Sequence, residues 1–330
     1  MTCAGRSGSG VSSPGAEPPQ QDGGLTPSNT PARSRPTRKP VWGWLSGFLL
    51  VAAAGLALLI LNNNVSLSHS SRETFASQLD RATERGTNWL DAHTVAIMGN
   101  AALVYMVVDM ADMSSDIRLR RFVDSYLQNP FIPSDVWRRM VDAKAQIRPP
   151  TRAELDRWAE YQRWMAYGVA PNLVPLADTE RADMFSTDKY IWGKRTHQLL
   201  ALILYRKHHG GDSWVANNLI NHLCEGIAFE AIWDVRVTDL YLQRIAFLLA
   251  EGRPDLVRRR WVDRILAGQE DDGGWRESWH GWGPGLFAFN VNDRWPTDHA
   301  TVQGMWIVYM LKYRYPEWAE KRYSYRSPRF

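Results

Sequence analysis

The sequence predicts an all-α protein: a polar N-terminal tail, one membrane-spanning helix, and a helical domain behind it. Three observations carry this. Residues 41–61 form an apolar run without a charge. Beyond about residue 190, apolar and amphipathic segments of about twenty residues alternate, as when an inner ring of helices is enclosed by an outer one. Gln269, Gly273 and Trp275 mark a tight acidic turn between two such segments.

Residues 1–40 are rich in Gly, Ser, Pro, Gln and Thr. Such a segment buries too little apolar surface to offset its ordering entropy, so it reads as a disordered tail. At about 1.5 Å per residue, a helix over 41–61 spans roughly 30 Å, the thickness of a bilayer's hydrocarbon core. Trp42 and Trp44 fall where an interfacial aromatic belt would sit. Arg33, Arg35, Arg38 and Lys39 precede the run, whereas Asn62, Asn63 and Asn64 follow it with no cation nearby. The positive-inside rule then places the tail in the cytoplasm and the chain from 62 onward outside. The long leader and the length of the apolar run favour an uncleaved anchor over a signal peptide. Residues 62–70 read as a linker. Asn64, Val65 and Ser66 match a glycosylation sequon.

The helical domain is expected over 71–330. Residues 72–93 carry apolar side chains at helical spacing, and 95–110 are apolar nearly all round, interrupted by Asn100 and Asp109. A short helix is expected over 117–127, a helix capped by Ser134, and another over 151–167 opened by a Thr151–Glu154 capping box. With Pro171 and Pro175, residues 168–188 read as loop. Helices follow over 190–208, 213–231, 237–250 and 255–266, and a last apolar one starts near Thr297 and ends before Pro316. The net charge of +4 is only mildly basic and suggests no nucleic-acid surface. Cys3 and Cys224 fall on opposite sides of the predicted membrane helix and cannot pair within the chain; Cys224, in an apolar stretch, reads as a core residue.

Polar residues recur at the starts of three apolar helices: Thr196 and His197, Thr238 and Asp239, and Asp298 and His299 with Thr301. His titrates near neutral pH and a carboxylate can orient it, so His197, Asp239, Asp298 and His299 are candidate general acid–base residues. Helix N-capping accounts equally for the Thr and Asp positions. Trp279, His280, Trp282 and Trp295, with Asp293, crowd the loop before the last helix. Their faces suit a sugar ring or an isoprenoid chain, or the simple packing of a loop over the domain's mouth. No spacing of His, Cys and Asp makes a ready metal site, and no cofactor is implied.

The Gln-x-x-x-Gly-x-Trp order, set between its two helices, resembles the repeat of the α/α-toroid proteins, the terpenoid-cyclase and protein-prenyltransferase superfamily. The resemblance covers one copy, residues 255–311. It implies a toroid of inner and outer helices, in which this turn braces helices and does no chemistry. About four helix pairs can be counted, fewer than a full ring holds, so a partial or open barrel is expected. The family's catalytic motifs do not carry over: Gln269–Glu270–Asp271–Asp272 lacks the first carboxylate of an Asp-x-Asp-Asp acid, and no Asp-x-Cys zinc motif is present. The expected function is therefore that of an anchored, extracytoplasmic helical domain acting on, or merely binding, a glycan or a lipid-linked substrate.

Overall fold

A computed structural model describes residues 42–65, 74–129, 136–187, 194–209, 214–276, 279–280, 288–289 and 297–320. The chain divides at Phe48 into two units. Of the first, the described part is the opening of helix α1 (Trp42–Asn64), with Trp44, Leu45 and Phe48 exposed. The second unit holds the rest of α1 and every other element. Residues 44–64 are long and apolar enough to cross a membrane, with a mean hydropathy of 2.4.

The described domain is helical, apart from a two-residue antiparallel pairing of β1 (Trp279–His280) with β2 (Ala288–Phe289). Its centre is two helices buried all round. In α12 (Asp239–Ala250) every residue from Tyr241 to Leu249 is buried, and in α14 (Asp298–Tyr309) every residue from Ala300 to Tyr309. Helices without a polar face must be enclosed by others. Accordingly α14 lies between α12 and α4 (Ala101–Ser114) and also meets α2 (Phe75–Ala92). On the other side α12 packs on α10 (Lys194–His208) and α11 (Trp214–Trp233), and α10 lies along α8 (Glu160–Val169). The helices α5 (Ile117–Gln128) on α4 and α13 (Arg259–Ala267) on α2 bury one face each.

Several boundaries differ from expectation for local reasons. Asn100 caps α4 by accepting from the amides of Ala102 and Leu103, which splits 95–110 into α3 (Thr94–Met98) and α4. The Thr151–Glu154 capping box is present, but its helix, α7 (Arg152–Arg157), stops at Trp158, which is extended, before α8 begins. Residues 168–188 are not all loop: α9 (Asp178–Met184) lies among them, its Glu180 side chain reaching back to the Ala177 amide. A four-residue helix, α6 (Arg138–Val141), stands where a longer one was expected, and Ser134 lies outside the described residues. The helix read as ending at 61 continues through Asn64, so the expected linker loses its first three residues to α1.

The Gln269–Trp275 turn is a brace. The Gln269 amide donates to the carbonyls of Ala82 on α2 (3.0 Å) and of Gly273 (2.9 Å). Trp275 is 1% exposed, and its indole N–H donates to the Ile265 carbonyl on α13 at 2.8 Å. Its backbone amide donates to Thr301 Oγ1 on α14 at 2.9 Å. One turn thus ties three helices. Gly273 has φ +97°, and a Cβ there would collide with the Arg85 carbonyl. Gly304 lets α14 approach the Trp275 ring, which a Cβ would meet at 2.6 Å. Asp272 accepts from the Gly274 amide at 2.9 Å and the Asp271 side chain is fully exposed, so this carboxylate pair caps and solvates the turn.

Candidate functional site

Two helix starts meet at the candidate site. Thr238 caps α12 and Thr297 caps α14, each hydroxyl accepting from an amide of the first turn. These caps place Asp239 and His299 immediately inside the two helices. Asp239 Oδ1 and His299 Nδ1 lie 2.5 Å apart, a charge-assisted hydrogen bond between the inner helices. The Asp239 side chain is 25% exposed and that of His299 37%, so the pair stands at the edge of the core and is open to water.

One turn deeper the same faces stay polar. Gln303, four residues after His299, is fully buried and sets Nε2 3.1 Å from His299 Nδ1. Nδ1 cannot donate to Asp239 and also accept from Gln303. With Asp239 ionised, the Gln303 amide must turn its oxygen to the ring. Either orientation leaves one amide atom of Gln303 buried without a protein partner, at a cost of about 1–3 kcal/mol. Gln243, four residues after Asp239, accepts from Thr196 Oγ1 on α10 at 2.5 Å. The starts of α10, α12 and α14 therefore share one polar layer, dry at Thr196, Gln243 and Gln303 and wet at Asp239 and His299.

The other sequence candidates distribute as follows. His197 belongs to the same turn as Thr196, and its ring rests on Tyr161 of α8, with centroids 4.4 Å apart. Asp298 accepts from the His299 amide at 3.0 Å and acts as a helix-start carboxylate. Asn100 caps α4, as above. Trp279 and His280 form β1; Trp282, Asp293 and Trp295 lie outside the described residues. Cys224 is fully buried, and burial pushes its thiol up to about 12, the behaviour of a small core residue. Among the described residues no group of three His, Cys, Asp or Glu side chains could hold a metal ion.

Two features escaped sequence reasoning. Gln243 and Gln303 were hidden inside apolar helices, although each follows a candidate residue by four positions and so shares its helix face. The asparagines after the apolar run were read as a polar flank, yet they hold α1 to the domain. Asn63, 1% exposed, donates to the carbonyls of Ala231 (2.9 Å) and Ile232 (3.1 Å) and accepts from the Tyr241 hydroxyl (3.1 Å) and from Arg264. Asn64 donates to the Ile60 and Ile232 carbonyls and accepts from the Trp261 indole. That engagement leaves the Asn64 amide unsuited to carry a glycan, whatever its sequon. Behind them Arg244, fully buried, pairs with Glu230 (3.1 Å) and Asp234 (2.5 Å), which closes α12 on α11. Comparison of the chain with family models, with curated proteins and with solved structures returns no match.

Proposed function

We propose that this is a single-pass membrane protein whose extracytoplasmic domain, a partial α/α-toroid, performs general acid–base chemistry on a glycan or a lipid-linked substrate at the membrane face. The observation that carries this reading is the 2.5 Å bond between Asp239 and His299 at a water-accessible edge of the core. A carboxylate on Nδ1 fixes the tautomer and orients the ring, so that Nε2 is the nitrogen left to take or give a proton. The aromatic residues Trp279, His280, Trp282 and Trp295, with Asp293, would supply the faces and the polar edge that hold a ring or an isoprenoid chain. The cations at Arg33, Arg35, Arg38 and Lys39 support a cytoplasmic N-terminus.

A second reading is a non-catalytic module that binds such a ligand. It is favoured by the missing carboxylate of the Asp-x-Asp-Asp acid and by the missing Asp-x-Cys motif. One experiment separates the two. The full chain in vesicles is offered a panel of glycans and polyprenyl-linked sugars, and both binding and product are followed. The enzyme reading expects product from the wild type, and a loss of about 10²–10⁴-fold in His299→Ala and Asp239→Asn, the usual weight of a general acid–base group. Both variants should melt within about 1 kcal/mol of wild type, since the pair is partly wet. Ligand bound and recovered unchanged means the binding module. Undiminished product from both variants removes the site.

A further inference from the structure

The end of α1 is fixed to the domain beside an exposed aromatic pair. Asn63 and Asn64 bond the carbonyls of Ala231 and Ile232 in the last turn of α11. Flanking these residues, Phe229 and Trp233 are 54% and 52% exposed, with ring centroids 6.1 Å apart. Cations gather at the same place. Arg260 donates to the Asn62 carbonyl and side chain, both at 2.7 Å. Arg258 lies over Trp261, which holds Asn64. Exposed Arg236 follows Val235, whose carbonyl accepts from Arg264, the partner of Asn63.

We propose that the last turn of α11 and the guanidinium groups of Arg236, Arg258 and Arg260 form a collar seated on the lipid surface, with Phe229 and Trp233 in the bilayer interface and those guanidinium groups level with lipid phosphates. The proposal rests on α1 spanning the membrane. If its apolar run fills the hydrocarbon core, Asn62, Asn63 and Asn64 stand at headgroup depth, and so do the carbonyls they bond. Phe229 and Trp233 are then within about one helical turn, roughly 5 Å, of that layer. Aromatic rings with a polar edge are favoured there, and phosphates attract Arg. A large exposed aromatic pair next to a membrane helix is thereby covered by lipid.

The test places spin labels on the full chain in phosphatidylcholine–phosphatidylglycerol vesicles. Cys3 is changed to Ser; Cys224 is buried and its thiol stays protonated, so neither reacts. Labels go at Phe229→Cys, Trp233→Cys and, inside α1, Leu56→Cys. All three side chains are exposed, so the substitutions leave the core intact. Relaxation by an aqueous nickel chelate and by oxygen, which concentrates in lipid, is compared with that of free label in buffer. The expected result is a loss of nickel relaxation and a gain of oxygen relaxation at 229 and 233, intermediate between free label and position 56. Aqueous values at 229 and 233 with position 56 in lipid overturn the collar and leave the anchor standing; a protein partner on this face would give that outcome. Aqueous values at 56 sink the anchor and the collar together.

Discussion

Trp275 shows how much one side chain can organise. Its indole N–H reaches Ile265 on α13, while its amide and carbonyl reach Thr301 and Thr297 at the start of α14. The ring lies against Gly304 and close to Gly86, so two glycines on two helices are shaped to it. Truncation would open a cavity among α2, α13 and α14 that none of these backbones can close. Trp275→Ala is expected to cost about 3–5 kcal/mol, as for other large buried aromatics. Chemical denaturation of the solubilised full chain measures this; an unchanged midpoint would mean that the turn is not packed. The Gln-x-x-x-Gly-x-Trp order was legible because each residue does something only its type can do: an amide that bridges two carbonyls, a positive φ, a large flat donor. Asp239 and His299 were legible as candidates, but their meeting was not, since it depends on how α12 and α14 pack.

Among the elements, helices with strong internal signals emerged close to where the sequence put them. Thr238 caps where expected, the last helix opens at Thr297 as expected, and the apolar stretches of α12 and α14 are buried all round. Short helices were missed. The seven residues of α9 hold too few turns for a periodic pattern, and the break between α7 and α8 at Trp158 has no Gly or Pro to announce it. The largest misreading was the end of α1, where three asparagines look like a solvated flank until the partners from α11, α12 and α13 are placed around them. Those partners make a specific expectation. Asn63→Ala removes four hydrogen bonds and strands the Ala231 carbonyl and the fully buried Tyr241 hydroxyl. Burial pushes Tyr241 well above the usual phenol range, so it stays a neutral donor in need of an acceptor. The variant should lose about 2–4 kcal/mol, one to three for each stranded group with partial relaxation. Asn62→Ala keeps the backbone carbonyl that Arg260 reaches, gives up the side-chain bond to that half-buried guanidinium, and should lose under about 1 kcal/mol. Equal losses would show that the end of α1 is not clamped as described.

Across the whole molecule, stability should depend on pH through buried groups more than through the mild net charge of +4. His208, in the last turn of α10, is the clearest case. Burial, followed by the positive charges of Lys207, His209 and Arg139, pushes its imidazole from the ordinary 6.5 down to about 4. Its Nε2 is buried without a partner, which suits the neutral ring. When the chain unfolds, the ring takes a proton near 6.5; folded, it resists until about 4. The unfolded state therefore binds more protons in this interval, and stability falls as pH drops through it. Above 6.5 the neutral ring costs nothing, and below about 4 both states are protonated and the loss levels off. Glu251 acts in the opposite sense. Burial raises its carboxyl despite the paired Arg206, so acidification relieves a charge that the fold holds at a cost. Comparing variants isolates the histidine from such neighbours. His208→Gln, polar but unable to titrate, should lose less stability than wild type as pH falls from 6.5 toward 4, and the two curves should run parallel above 6.5. Parallel curves across the whole range would show that His208 titrates freely, and that the end of α10 opens to water more readily than its packing indicates.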